Sequence, residues 1–146
     1  MTRKSMVDRD IIYAKVGIIK RCLQRIEKVT ELNPDRLEDL IVQDVFVLNL
    51  QRAVQAVIDI AAHAVSAQGL GVPQDLKENF TLLKEASIIN SHLEQQMKRM
   101  VGFRNIAVHE YQNLDIGILK SILSNNLHDL EEFYSVVIRH YGLSEE

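Results

Sequence analysis

The stretch Asn49-Leu50-Gln51-Arg52-Ala53-Val54-Gln55-Ala56-Val57-Ile58-Asp59-Ile60-Ala61 decides the fold. With its neighbours it places Val47, Leu50, Val54, Val57, Ile58, Ala61 and Val65 on one broad apolar stripe. Their three- and four-residue steps are the period of a helix and not the alternation of a strand. The pattern predicts a helix from about Leu37 to Ala67, which at ~1.5 Å per residue exceeds 40 Å and can serve as the spine of a bundle. Gly69-Leu70-Gly71-Val72-Pro73 ends it, glycine supplying the stop and proline forbidding continuation.

Working outward, Ile11, Ile12, Val16, Ile19, Leu23 and Ile26 give a first helix from about Val7 to Val29, closed by Asn33-Pro34-Asp35. A short helix is expected from Asn79 to Ala86, with Phe80 and Leu83 inward. Ser91-His92-Leu93-Glu94 matches a capping box and opens the next helix, which runs through Leu93, Met97, Met100 and Val101 toward Arg104. Asn113-Leu114-Asp115 interrupts the chain. A last helix then spans about Asp115 to Tyr141 through Ile118, Ile122, Leu123, Leu130, Phe133, Val137 and Ile138.

The expected fold is therefore all-α: one domain over 1–146, an up-and-down bundle of four long helices and a short one. Composition agrees, with 47% hydrophobic and 25% charged residues in 146, only 6 Gly and 2 Pro, and no Trp. The first two helices carry wide apolar faces, so part of that surface is expected to form a homodimer interface. No apolar run approaches the ~20 residues that span a bilayer. The polar start Met1-Thr2-Arg3-Lys4-Ser5 leads into no signal-peptide core. A lone Cys22, inside an apolar helical pattern, reads as a small buried hydrophobe. A cytoplasmic location is the expectation.

A net charge of −3 argues against a long nucleic-acid footprint. Between Gln95 and Tyr111, however, Lys98, Arg99 and Arg104 face a single acid, Glu110. A small basic region on an acidic chain fits a confined phosphate site.

That region contains Arg104-Asn105-Ile106-Ala107-Val108-His109-Glu110-Tyr111. Arginine offers a permanently charged fork for phosphate, and histidine exchanges a proton near neutral pH. On a regular helix Arg104 and Tyr111 project within about 20° of each other, and Arg104 and His109 about 140° apart. Asn105 and His109, four apart, would be neighbours, so Asn105 could orient the imidazole. RNA cleavage without a metal gains from a base for the 2′-hydroxyl, an acid for the leaving oxygen and a cation for the transition state. One chain supplies only one such histidine. A two-fold dimer supplies two.

Arg104-Asn105 followed by His109, Glu110 and Tyr111 resembles the signature of the HEPN superfamily, in its HepT-like toxin branch. Met100-Val101-Gly102-Phe103, Leu114-Asp115 and the spine segment from Asn49 to Ala61 with Gly69-Leu70-Gly71-Val72-Pro73 extend the resemblance over roughly Asp8 to Ile138. The resemblance implies a dimeric helical bundle that is a metal-independent endoribonuclease, with Arg104 and His109 as catalytic pair and Asn105 in support. It also implies a partner, an MNT-type nucleotidyltransferase antitoxin that uses ATP and a divalent metal to AMPylate Tyr111, and no cofactor for the toxin itself. A bulky anion on Tyr111 would occupy the phosphate site and repel RNA.

Asp59 and His63 share a helix face and are candidates for polar contacts beneath the cleft or at the interface. Together with His128 and Glu132 they raise the idea of a bundle-core metal site, but the Glu-x-x-His repeats of di-iron bundles are missing. No metal is expected. Two other readings stay open: a non-catalytic companion that binds nucleotide for a small nucleotidyltransferase, and a structural bundle whose motif is coincidental.

Overall fold

A computed structural model describes residues 7–143; the polar start Met1–Ser5 lies outside them. The elements are α1 (Arg9–Thr30), a 3-10 turn (Pro34–Glu38), α2 (Leu40–Gln68), α3 (Glu78–Glu85), α4 (Ser91–His109), a second 3-10 turn (Tyr111–Asn113), α5 (Ile116–Asn125) and α6 (Leu127–His140). No strand occurs among the described residues. The expected all-α bundle stands.

α2 is the spine. α1 lies along it, and α3, α4 and α6 also pack on it. It is long and apolar enough to cross a membrane, yet 61% of its most apolar window is buried inside the bundle. Its apolarity is taken up by helix packing. Phe46 of α2, Phe80 of α3 and Phe133 of α6 are fully buried, and Phe80 meets Phe133 edge to face at 5.6 Å. Cys22 is buried and free, and burial pushes its thiol up in pKa, as suits a small core hydrophobe.

Helix ends depart from the sequence pattern in instructive ways. α2 begins at Leu40, where the Asp39 carboxylate accepts from the backbone N–H groups of Ile41 and Val42. Leu37 falls in the preceding turn and is fully buried there. α1 ends on Glu31 at φ 54°, a left-handed stop placed before the Asn33-Pro34 break. Gly69 at φ 62° ends α2 as expected. α4 is capped one residue earlier than predicted: Asn90 Oδ1 accepts from the Leu93 N–H at 2.8 Å, and Ser91 is already helical.

The expected last helix is two helices, broken at Asn126. The Asn126 amide donates to Asp129 Oδ2 at 3.1 Å, a local side-chain bond of the kind that competes with helix continuation. The break lets α5 pack on the Pro34–Glu38 turn while α6 returns to the bundle. Two residues read as core are on the surface: Ile11 is 39% exposed and Ile118 is 54% exposed. Leu40, Ile41 and Leu48 of α2 and Ile106 and Val108 of α4 are exposed as well.

Candidate functional site

α4 carries the motif. It stays α-helical through His109, so the predicted separation of Arg104 and His109 about the axis, roughly 140°, holds. Arg104 is half-buried. Its Nη1 donates to Asn105 Oδ1 at 3.1 Å, and its Nε–H is buried without an acceptor among the described residues. A guanidinium held by one side chain, with donors left over, suits a ligand oxygen. Asn105 therefore positions Arg104, where the sequence pattern had suggested that it orients His109. His109 is the last residue of α4 and is exposed.

Asn105 also lines a concavity of about 1030 Å³ bordered by the end of α2, the Gly71–Lys77 segment and Val101 of α4. Its walls are mainly apolar, with Lys77, Asp75 and the Asn79 amide among the polar groups.

Tyr111 does not share the face of Arg104. Glu110 leaves the helix at φ −142° and ψ 52°, and Tyr111 opens the 3-10 turn that follows. The ring turns toward α2, where the phenol donates a hydrogen bond to Asp44 Oδ1. Partial burial and then the Asp44 carboxylate push the phenol pKa up from 10.0 to about 12. The two side chains share a concavity of about 420 Å³ with Val47, Leu48 and Gln51.

Sequence reading missed Asp44. The signal was present: Asp44 and Asp59 are the two carboxylates in the whole of α2, and an acid in so apolar a helix needs a reason. Asp59 has its own: it accepts from Lys15 Nζ and from Gln55 Nε2, each at 2.9 Å. His63 Nε2 accepts from the backbone N–H of Asp8 at 2.9 Å. Both of these candidates thus hold α1 onto α2. No group of three His, Cys, Asp or Glu side chains suited to a metal is present among the described residues.

The basic region is narrower than its composition suggested. Lys98 Nζ pairs with Glu94 Oε2 at 2.9 Å, one residue outside the window counted from the sequence, and Arg99 Nη1 reaches Gln96 Oε1 at 3.4 Å. The Lys98 ammonium in turn lowers the Glu94 carboxyl pKa. Of the three cations, Arg104 alone has a buried donor without an acceptor among the described residues.

Known proteins resemble this chain in sequence and fold. The family described as "Ribonuclease HepT-like" matches residues 19–137. The mRNA nuclease HepT of Shewanella oneidensis is 43% identical over 128 residues, covering 88% of this chain and 96% of that protein. The crystal structure of a toxin–antitoxin with AMP-PNP superposes with a TM-score of 0.85 at 41% identity, covering 89% of this chain and 98% of that one. A tri-AMPylated Shewanella oneidensis HEPN toxin in complex with MNT antitoxin gives 0.84 at 42% identity, with coverage of 89% and 98%. A family match over most of the chain and identity above two fifths agree with the motif helix: the chain belongs to the HepT-like ribonuclease family and is an endoribonuclease by that membership.

Proposed function

We propose that this chain is the toxin of a toxin–antitoxin pair, a metal-independent endoribonuclease that cleaves RNA in the cytoplasm at a site shared by two copies. The observation that carries the reading is Arg104, held by Asn105 with a buried donor to spare, five residues before an exposed His109. The similarity to an mRNA nuclease supports RNA as substrate.

The chemistry follows from the groups. One His109 takes the proton of the 2′-hydroxyl, whose oxygen attacks the adjacent phosphorus as the bond to the 5′-oxygen breaks. The second copy's His109 returns a proton to that leaving oxygen. Arg104 stabilises the added charge on the phosphoryl oxygens. Because each chain brings one such histidine, the homodimer completes the site. Asp59 and His63 support it indirectly, by keeping α1 on the spine.

Tyr111 is the proposed off-switch. A nucleotidyltransferase antitoxin of the MNT type, using ATP and a divalent metal, places AMP on its phenol. The AMPylated state of a toxin 42% identical supports this, as does the exposure of Tyr111.

The test is expression of the chain alone in bacteria beside Arg104→Ala and His109→Ala. Growth arrest relieved by both substitutions is the expected outcome. No arrest, with nucleotide binding that depends on Arg104, would establish the non-catalytic companion instead.

A further inference from the structure

Among the described residues the Tyr111 phenol has one hydrogen-bond partner, and that partner is a base. Its O–H donates to Asp44 Oδ1 across a sequence separation of 67 residues, from the turn after the motif helix to the first turns of the spine. Around the pair, Val47, Leu48 and Gln51 complete a shallow concavity in which Asp44 is the one charged residue. Asp44 is exposed, as is Tyr111, so the hydrogen-bonded pair is open to an incoming nucleotide.

A neutral phenol is a poor nucleophile, and this one is harder to ionise than usual, with a pKa of about 12. It must shed its proton as it attacks. We propose that Asp44 is the proton acceptor for nucleotidylation of Tyr111, so that this chain supplies the general base for its own silencing. The proposal rests on the reading of Tyr111 as the modified residue.

The step balances with ATP as co-substrate. The Tyr111 oxygen forms a bond to the α-phosphorus, the bond from that phosphorus to the bridging oxygen of pyrophosphate breaks, and pyrophosphate leaves with the electron pair. The phenolic proton passes to Asp44 Oδ1 along the hydrogen bond already in place, and from there to solvent. The transferase need then bind and activate only the nucleotide.

The experiment mixes the purified full-length chain with its nucleotidyltransferase, ATP and magnesium, and follows intact mass with time. Asp44→Asn keeps an oxygen that accepts from the phenol but cannot take up its proton. It should slow addition of the first AMP by roughly 10²- to 10⁴-fold, the range for a positioned base. Its melting temperature should match wild type. The ratio of wild-type to variant rates should shrink as pH rises from about 7 to about 9, because hydroxide then removes the proton in place of the lost base. Asp44→Glu should recover part of the rate. A variant rate within about threefold of wild type, or a ratio that stays large and flat with pH, would overturn the role of Asp44 and leave Tyr111 as the modified residue. Tyr111→Phe separates the two layers: if it still gains AMP, the tyrosine reading fails and this proposal with it.

Discussion

Arg104 Nη1 and Asn105 Oδ1 lie 3.1 Å apart, so two adjacent residues of the motif helix are bonded to each other through their side chains. Neighbours on a helix project about 100° apart, so the guanidinium must lean over Asn105 to make this contact. Asn105→Ala should leave Arg104 charged but free to rotate, lowering RNA cleavage roughly tenfold through lost positioning. Asn105→Asp should lower it further, because a carboxylate beside the fork competes with phosphate. Single-turnover cleavage of a defined RNA by both variants, at equal melting temperature, checks the order.

The capping residue of the motif helix tests local sequence reading against geometry. Asn90 accepts from the Leu93 N–H, whereas the capping-box pattern pointed to Ser91. Glu94, the acid of that pattern, is drawn away to Lys98. Asn90→Ala should therefore cost about 1 kcal/mol and Ser91→Ala only a few tenths. Denaturant melts of the two variants give the comparison directly.

How far the sequence could be read depends on whether each feature is local. The spine and its stop at Gly69 come from periodicity and punctuation within a few residues, and they hold. The break at Asn126 was hidden because the apolar period passes through it from Ile122 to Leu130, and only the Asn126–Asp129 bond reveals it. Ile11 and Ile118 fit the same period but face outward, since periodicity marks a face without saying what covers it. Arg104, Asn105 and His109 were legible because they sit within one helix. Tyr111 was named but misplaced, since nothing in Glu110-Tyr111-Gln112 announces the end of α4. Asp44 stands out in the sequence as an acid in an apolar helix, but its pairing with Tyr111, 67 residues away, is not a local feature.

Asp59 and Lys15 form a half-exposed pair between α2 and α1, each side chain 32% exposed. Such pairs contribute up to about 1 kcal/mol. Asp59→Ala should lower stability by no more than that and change RNA cleavage by less than about threefold, because its partners belong to α1 and to its own helix. A large loss of cleavage at unchanged stability would place Asp59 in the site after all.

Two tyrosines should resist ionisation. Burial, joined at Tyr111 by Asp44, holds Tyr111 and Tyr141 at about 12, up from 10.0. The raised native value means that the unfolded chain loses these protons first. The stability they contribute is whole below about pH 10 and is lost as pH climbs toward about 12. Following phenolate absorbance against pH should show a late phase, and Tyr111→Phe and Tyr141→Phe should each remove one tyrosine from it. An unchanged late phase in Tyr111→Phe would mean that Asp44 does not hold the phenol in solution.

The shared site makes a claim about concentration. Each proposed catalytic side chain has an exposed apolar neighbour on its own flank of α4. Val108, 41% exposed, follows Arg104 by four residues, and Ile106, 40% exposed, precedes His109 by three. A second copy covering both flanks would bury these residues and bring its own His109 into the same cleft. Val108→Asn removes an apolar contact without adding a charge that could quench Arg104. Burial of such a side chain contributes about 1.5 kcal/mol. Two-fold symmetry counts the loss twice, so the dimer should weaken by roughly 100-fold. Light scattering should then find monomer at micromolar protein, and specific activity should rise with protein concentration while that of wild type stays flat. A Val108→Asn monomer that cleaves RNA at the wild-type rate would show that one chain suffices.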